Sequence, residues 1–254
     1  MDTMAKNDGD LKERLRAACR NRGAVAFGIA SVDEADALET IKIGSTVDRW
    51  SIKIRSKMPE ARSAVIFGLR SVDDADELVV ERPEEGDLYP GYFPLTHMRR
   101  DVLQILRNQG FRANPLPDLV PLKRIAILAG LGVYGKNSVV LSPKHGLWLR
   151  LEGVITDAEL PIDKPLNKDL CGKCERCVKA CPAKALKPYV LDSYRCLVGY
   201  GGGSLSKEKM STLRKRFEPR LTPNTYVMCR VCQMVCPFTT AERRKNTISL
   251  RGSR

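Results

Sequence analysis

The sequence of 254 residues contains no long hydrophobic run. None of its apolar stretches approaches the ~18 residues that a membrane-spanning helix needs, so we expect no membrane span. Residues 1–21 are charged throughout and lack the apolar region of a secretory signal. We therefore expect a cytoplasmic protein in a reducing environment, where thiols and metal clusters survive.

Acidic residues are scarce relative to basic ones, with 30 Asp and Glu against 43 Lys and Arg and a formal net charge of +13. A basic surface attracts nucleic acid, anionic cofactors or an acidic electron donor. None of the basic runs lies beside an RNA-binding aromatic motif. A basic surface that only contacts solvent explains the charge equally well, so composition alone selects no partner.

Eight of the nine cysteines lie in the last third of the chain. They form the runs Cys171-x2-Cys174-x2-Cys177-x3-Cys181-Pro182 and Cys229-x2-Cys232-x3-Cys236-Pro237, with Cys196 alone between them. The first run is the bacterial ferredoxin pattern for 4Fe–4S ligation, in which the fourth cysteine ligates the other cluster. A proline after each fourth cysteine turns the chain away. The spacing therefore predicts two 4Fe–4S clusters that exchange their fourth ligands.

The eight cysteines divide into two sets under this prediction. The first cysteine set, for cluster 1, is Cys171, Cys174, Cys177 and Cys236; the second cysteine set, for cluster 2, is Cys181, Cys196, Cys229 and Cys232. Structural zinc also uses Cys-x2-Cys pairs, but the combined spacing is poor for zinc. A disulfide framework is typical of small secreted scaffolds, not of a chain of this length. Cys19 lies on the apolar face of a predicted helix and is expected to be a buried thiol.

The apolar pattern predicts an α/β (α+β) N-terminal domain over residues 1–160 and a bacterial-ferredoxin-like double-cluster domain over 161–254. We expect strands over 24–30 and 63–69 to be covered on both faces, because their apolar runs are nearly continuous. The other predicted elements are a helix over 10–22, a long loop over 71–94, a helix over 96–109 with Thr96 as its N-cap, and a half-buried strand over 147–152.

A glycine-rich segment over 130–135 matches the dinucleotide fingerprint G-x-G-x-x-G. That fingerprint requires a strand before it and a helix after it, whereas here the preceding segment is at least as typical of a helix and the following one of a strand. The glycines are instead expected to let the backbone approach a large planar ligand or a neighbouring element. Lys136 follows directly, either to hold an anionic group or as a solvated side chain.

With its Gly-Leu-Gly-Val-Tyr-Gly-Lys-Asn stretch over 130–137, the chain resembles the epoxyqueuosine reductases. The resemblance continues through the acidic turn over 156–161, the approach to the lone cysteine over 188–196 and the cysteine runs up to Pro237. It is close over residues 121–238 and loose over 10–70. The respiratory reductive dehalogenases are similar at a greater distance. The chain resembles a shortened paralogue of the reductases.

This resemblance implies a cobalamin in the N-terminal domain beside the nearer cluster. It implies an external low-potential donor of ferredoxin or flavodoxin type, whose electrons pass through both clusters to cobalt. Carried over residue by residue, the corrinoid edge would lie near Gly130, Gly132, Tyr134, Gly135 and Lys136.

The resemblance also implies a proton donor and raises the question of substrate. The family has an Asp-Tyr-His motif whose aspartate donates the proton, and His97 lies about where that aspartate would be. A histidine can donate near neutral pH, although it can equally cap or pack the helix. Tyr89, Tyr92 and Tyr134 are further candidates. The family's helical-repeat extension grips transfer RNA, and this chain stops sixteen residues after Phe238, so we expect no transfer RNA substrate.

Three functions remain open from the sequence. The first is an oxidoreductase that reduces a small-molecule substrate or a corrinoid. The second is a non-catalytic electron-transfer protein, or a protein that reduces a corrinoid protein, without a substrate pocket of its own. The third is a cluster-based sensor or assembly protein that binds nucleic acid through its basic face.

Overall fold

The computed structural model describes residues 2–44, 48–71, 73–199 and 205–239. Its helices are α1 (Asp2–Asn21), α2 (Val32–Ala37), α3 (Phe93–Asn108), α4 (Leu122–Leu128), α5 (Arg176–Ala180), α6 (Lys207–Phe217) and α7 (Val231–Met234). Its strands are β1 (Ala26–Ser31), β2 (Lys42–Gly44), β3 (Asp48–Trp50), β4 (Ser63–Arg70), β5 (Leu78–Val80), β6 (Ala113–Pro115), β7 (Val133–Tyr134), β8 (Val140–Leu141), β9 (Leu149–Thr156), β10 (Leu186–Lys187), β11 (Val190–Leu191), β12 (Arg220–Thr222) and β13 (Thr225–Val227). None of the helices in these ranges has the length and apolar character needed to cross a membrane.

A four-stranded antiparallel sheet of order β1-β4-β9-β6 forms the centre of the N-terminal part. Helices α1 and α3 cover one face, where Leu15 and Met98 pack against Phe67 of β4. Helices α2 and α4 cover the other face, where Ile125 packs with Ile66 of the same strand. The near-continuous apolar runs of β1 and β4 are thereby explained, since alternate side chains enter two different cores. The predicted α+β class is confirmed.

Strand β9 is buried more completely than the sequence predicted. Alternation over 147–152 predicted one solvated face, but Trp148 is 1% exposed and Arg150 only 7% exposed. The physical reason is position, because β9 lies between β4 and β6 with helices on both faces of the sheet. The charge of Arg150 is tolerated because Glu77 pairs with it at 3.0 Å.

The third helix begins earlier than predicted. It starts at Phe93, with Pro94 in its first turn, where the fixed φ of proline suits a helix and its missing N–H is not needed. Thr96 is therefore inside the helix and is not its N-cap; its hydroxyl donates to Tyr92 O at 3.3 Å. The helix ends before Gly110, which has a φ of +85°.

The segment predicted to be a long loop over 71–94 contains a strand. Strand β5 pairs antiparallel with β13, and together with β12 they form a three-stranded sheet. The partner strands come from the far end of the chain, so local pattern alone could not indicate the pairing. Residues 161–170, which follow the predicted division at residue 160, have neither helix nor strand. The division into domains at residue 160 stays a prediction. The pairing of β5 with β13 connects residues on the two sides of that division.

Candidate iron–sulfur centre and adjoining cavity

The first cysteine set surrounds a small cavity in the C-terminal part of the chain. Cys171 and Cys236 pack there against apolar side chains that include Leu147 and Phe238. The Asp169 carboxylate accepts hydrogen bonds from the backbone N–H groups of Cys171 and Gly172, each at 3.0 Å, which fixes the start of the loop. Gly172 has a φ of +46°, a conformation that glycine adopts without strain.

The second cysteine set lines a separate and larger cavity. The Cys181 thiol accepts a hydrogen bond from Ala185 N at 3.2 Å, and Cys229 N donates to Glu218 Oε1 at 3.4 Å. Helices α5 and α7, which carry Cys177 and Cys232, pack against each other. The structure thus brings the cysteines together in the same two groups of four that the spacing predicted, although ligation itself stays a prediction.

In each set the four cysteines line a cavity, and their thiols do not converge on a single point. Within the described ranges, no three His, Cys, Asp or Glu side chains are close enough to share a single metal ion. A 4Fe–4S cluster is wider than one ion and needs one thiolate at each of four corners. Four thiols around an apolar cavity fit such a group, because a dry shell tunes its potential and excludes water.

Burial raises the pKa of three thiols of the second set, Cys196, Cys229 and Cys232. It raises the pKa of Cys232 to about 12, and the nearby thiols of Cys196 and Cys229 add to the effect. Burial likewise raises the pKa of Cys229 to about 11. Since metals bind thiolates, cluster assembly here must displace protons from these thiols.

The larger cavity, of about 410 Å³, extends from the second cysteine set to the central sheet. Most of its wall is apolar and comes from α4, β8, β9, β10 and residues after Cys196 (Leu122, Val140, Leu149, Leu151, Leu186, Leu197 and Val198). This volume lies within the range of pockets that hold small molecules. The cavity is therefore large enough for a small molecule next to the cysteines.

The wall of the cavity also includes a polar group. Glu77, Tyr92 and Arg150 all line it. The Arg150 guanidinium pairs with Glu77 at 3.0 Å, and its Cζ lies 4.4 Å from the centre of the Tyr92 ring. Burial raises the pKa of the Tyr92 phenol, and the charge of Arg150 opposes that shift. Tyr92 therefore keeps its proton at neutral pH.

His97 is not brought to this cavity. It is exposed on α3, and its Nδ1 lies 3.1 Å from Arg100 Nη2. It lines a different groove together with other polar residues of α3. Tyr89 also stays outside the cavity lining and packs edge-on against Tyr92, with ring centres 6.4 Å apart.

The residues predicted to meet a corrinoid contact the protein itself. A Cβ on Gly130 would lie 2.7 Å from Lys164 O, and one on Gly132 would lie 2.5 Å from Leu141 O. Gly135 is equally tight against Asn137 and Val139, and half-buried Tyr134 belongs to β7. The glycines therefore admit a neighbouring element, which was one of the two expectations.

Lys136 is also used by the protein. Its Nζ donates to Gly172 O at 2.7 Å, and the residue is 8% exposed. It thereby ties β7 and the turn after it to the loop that carries the first cysteine set. Lys136 and Gly135 line the small cavity of that set, not the larger one.

Sequence reasoning missed several polar residues of the larger cavity, among them Glu77, Arg150, Lys123 and Asn137. Lys123 lies in the first turn of α4, and its Nζ donates to Ser138 O at 3.1 Å. Asn137 is 3% exposed and lines both cavities. The only sequence signal for either was a polar residue beside an apolar run.

The cysteine-rich part defines the class of protein. Residues 170–239 match the family described as 4Fe-4S double cluster binding domain. The chain therefore contains an iron–sulfur cluster-binding domain.

Comparison with known proteins gives the particular relatives. The chain is 41% identical over 126 residues to epoxyqueuosine reductase of Synechococcus sp., a match that covers 48% of this chain and 36% of the relative. It is 34% identical over 127 residues to the Yersinia pestis reductase, covering 49% of this chain and 29% of the relative. The resemblance predicted from the sequence is confirmed, and the chain spans about a third of the length of these curated relatives.

Solved structures share the fold over nearly the whole chain. A crystal structure of epoxyqueuosine reductase with a tRNA-Tyr epoxyqueuosine-modified stem loop has a TM-score of 0.68 at 21% identity, covering 92% of this chain and 66% of that one. A reductive dehalogenase, whose structure suggests a mechanism for B12-dependent dehalogenation, has a TM-score of 0.60 at 15% identity, covering 95% of this chain and 34% of that one. At these identities the likeness concerns the fold alone.

Proposed function

We propose that the chain is an iron–sulfur oxidoreductase that reduces a small molecule bound in the larger cavity. The observation that carries the proposal is the position of the second cysteine set, which shares one cavity with an ionisable phenol. An electron source and a proton source that face one pocket suit a reductive reaction. The similarity to epoxyqueuosine reductases supports the same reaction class.

The two cysteine sets hold the cofactors in this proposal. Bound 4Fe–4S clusters supply electrons one at a time. The first set lies on a loop whose Gly172 and Lys173 are exposed, so it is the accessible entry point for an external donor of ferredoxin or flavodoxin type. The second set faces the cavity and is the exit. Asn137 lines the cavities of both sets.

Tyr92 is the proton donor in this proposal. Its phenol lines the cavity, whereas His97 lies in another groove. The guanidinium of Arg150 stabilises the phenolate that forms when the proton leaves, and Glu77 holds the guanidinium in place at 3.0 Å.

Cobalamin is a second candidate acceptor, favoured by the fold shared with a protein whose reported mechanism is B12-dependent dehalogenation. The residues present do not fit it. The glycines expected at its edge contact protein backbone, and a cavity of about 410 Å³ must also hold the group on the second cysteine set. No step here runs through a corrinoid, and a corrinoid that copurifies with the chain would contradict this assignment.

Transfer RNA remains outside the proposed substrates. The tRNA stem loop was bound by a relative of which this chain covers 66%. The cavity is of a size for small molecules, and a nucleotide in a folded RNA would have to be extruded to enter it. The absence of a transfer RNA substrate stays a prediction, as do a cytoplasmic location and the identity of the donor.

Ligand variants test the proposal directly. Anaerobically prepared protein is expected to contain about eight irons per chain, four for each cluster. Cys177→Ser and Cys181→Ser are each expected to leave about four, with loss of different electron paramagnetic resonance signals. Cys19→Ser changes a buried thiol outside both sets and is the matched control, with about eight irons retained. The two-cluster reductase would be refuted if the protein contained zinc in place of iron, or if Cys177→Ser and Cys181→Ser both lost the same signal.

A further inference from the structure

The segment that carries the first cysteine run has an excess of exposed positive charge. Residues 168–187 include six Lys and Arg against two Asp and Glu. The six basic side chains are all exposed, and among the described residues none of them forms an ion pair with a carboxylate; they are Lys168, Lys173, Arg176, Lys179, Lys184 and Lys187. By contrast, the exposed side chains of Arg62 and Arg112 are each paired with a glutamate. The segment therefore presents uncompensated positive charge beside the first cysteine set.

Two of these charges lie at the first cysteine set itself. Lys173 lies between Cys171 and Cys174 in the loop that carries both thiols. Arg176 begins α5 and lines the small cavity that the set surrounds. Attraction between opposite charges raises the rate at which two proteins meet. A negatively charged surface is therefore drawn to the place where an electron can enter the first cluster.

The hairpin of β10 and β11 adds an apolar part to this surface. Its strands pair Lys187 with Val190 and Leu186 with Leu191. Residues paired across two strands share a face, and successive residues alternate between faces. Leu186 and Leu191 line the larger cavity, so Lys187 and Val190 lie on the opposite side, where Val190 is 58% exposed. The outer side of the hairpin thus presents one basic and one apolar side chain.

The turn of this hairpin is fixed to the first cysteine set. Tyr189 has a φ of +65°, in the left-handed region that residues with a side chain rarely adopt. Its backbone N–H donates to Lys136 O at 3.1 Å, and Lys136 Nζ donates to Gly172 O at 2.7 Å. Partial desolvation, together with the charges of Asp169 and Cys171, raises the pKa of the Tyr189 phenol. The ring, which is 43% exposed, is therefore held beside the cysteine loop.

We propose that an acidic protein with a one-electron redox group docks on the donor face, which is formed by Lys173, Arg176, Lys187, Tyr189 and Val190. This inference rests on the proposed reductase function, in which electrons must enter from outside the chain. In the step itself the reduced carrier loses one electron and cluster 1 gains it, and no bond is made or broken. Apolar side chains among charged ones are typical of a protein–protein interface. A phosphate backbone would use the cations but not the aliphatic Val190, which favours a protein as the occupant.

The test is the rate at which a reduced acidic carrier reduces the full-length, anaerobic holoprotein in stopped flow. The probes are a plant-type 2Fe–2S ferredoxin and, in a second series, a flavodoxin. Lys173→Glu and Lys187→Glu are each expected to lower the second-order rate constant with either carrier about 10-fold at low salt. The loss should shrink as salt is added, because at 0.1 M ions screen charges beyond ~10 Å. Reduced methyl viologen, a small reductant that needs no docking face, should reduce every variant at a similar rate.

Two further variants separate the apolar contact from the charge. Tyr189→Asn removes the ring but keeps the turn, because asparagine tolerates the left-handed conformation. It is expected to slow reduction by the carriers several-fold at every salt concentration. Lys57→Glu is the matched control, because Lys57 is an exposed lysine of the N-terminal part and the change in charge is the same. Its rate should stay near that of the wild type.

The outcomes distinguish the docking face from the function on which it rests. Equal losses in K57E and K187E would overturn the donor face, as would a wild-type protein that viologen reduces but neither carrier does. A short RNA hairpin that binds the wild type but not K173E or K187E, with carrier rates unchanged, would assign the surface to nucleic acid. If K173E loses iron, K187E and Y189N give the measurement. A wild-type protein with only one cluster would refute the proposed function itself.

Discussion

The buried thiol of Cys19 shows how one side chain couples stability to pH. Cys19 lies in α1 and is 1% exposed. It packs in the same core as Leu15 and Phe67. Burial raises its pKa from 9.0 to about 12, and the charge of Asp101 adds to the shift. The folded protein therefore keeps this proton at pH values where the unfolded chain has lost it.

The expected result is a loss of stability in alkali that Cys19 causes. Below pH 9 both states are protonated, and the free energy of unfolding does not depend on this group. From pH 9 to about 12 only the unfolded state releases the proton, so the free energy of unfolding falls by about 1.4 kcal/mol per pH unit. Anaerobic urea unfolding of holoprotein measures the slope, and Cys19→Ala should lack this part of it. An identical slope in the variant would contradict the assignment.

Two side chains compete for the role of proton donor, and their positions separate them. Tyr92 lines the larger cavity, and His97 does not. Tyr92→Phe removes only the hydroxyl and is expected to slow reduction of any small-molecule acceptor by about 10²–10⁴-fold, as loss of a general acid does. His97→Ala should leave the rate unchanged. Stopped-flow oxidation of the reduced protein by trial acceptors measures the rates of both variants, with iron content as the control. A slow rate in H97A together with a normal rate in Y92F would make His97 the proton donor.

At the scale of elements, the chain could be predicted where the signal was local. The helix over 10–22 was predicted from its periodicity and the strands over 24–30 and 63–69 from their continuous apolar runs; they are present as α1, β1 and β4. The cysteine groups could be predicted because ligand spacing is written in consecutive residues. The burial of Arg150 inside the sheet could not be predicted, because it depends on Glu77, which is distant in sequence.

Strand β5 illustrates what local pattern leaves out. Three apolar residues between acidic and proline-rich segments are too short to distinguish a strand from a loop. Lys123 was missed for a related reason, because the thiols with which it shares a cavity lie in a different part of the chain. The glycines of residues 130–135 were correctly predicted to allow a close approach. A neighbouring element of the protein, and not a ligand, makes that approach.

The pairing of β5 with β13 can be tested by one substitution. Val79 is fully buried in β5, so Val79→Asp places a charge without a partner in a closed core. We expect a loss on the order of 3 kcal/mol in the free energy of unfolding, measured by denaturation, and weaker retention of iron. Val190→Asp is the control, because Val190 lies in the short strand β11 and is 58% exposed. Equal effects of the two substitutions would mean that β5 contributes nothing special.

At the scale of the whole molecule, the two predicted domains are joined by more than their connecting segment. Thr239 accepts hydrogen bonds from Leu147 N at 3.1 Å and from Trp148 Nε1 at 3.4 Å. Arg230 forms an ion pair with Asp74, and β5 pairs with β13. These contacts connect residues before 160 with residues after 161.

Limited proteolysis should show this connection. Lys168 is exposed in the segment without helix or strand, which makes the bond after it the expected site of a first cut by trypsin. The two fragments are expected to elute together in native gel filtration and to retain iron, because the contacts across residue 160 remain. Separation of the fragments without denaturant would instead support two independent domains.

The pairing of β5 with β13 also sets an order of events during synthesis. Residues 78–80 leave the ribosome long before their partner strand β13. A contact between such distant segments forms late, because the intervening chain must first be closed into a loop. Cys229, Cys232 and Cys236 emerge later still. Both cysteine sets are thus completed only after β13 has been synthesised, and iron delivery acts on a fold whose early half has waited for that strand.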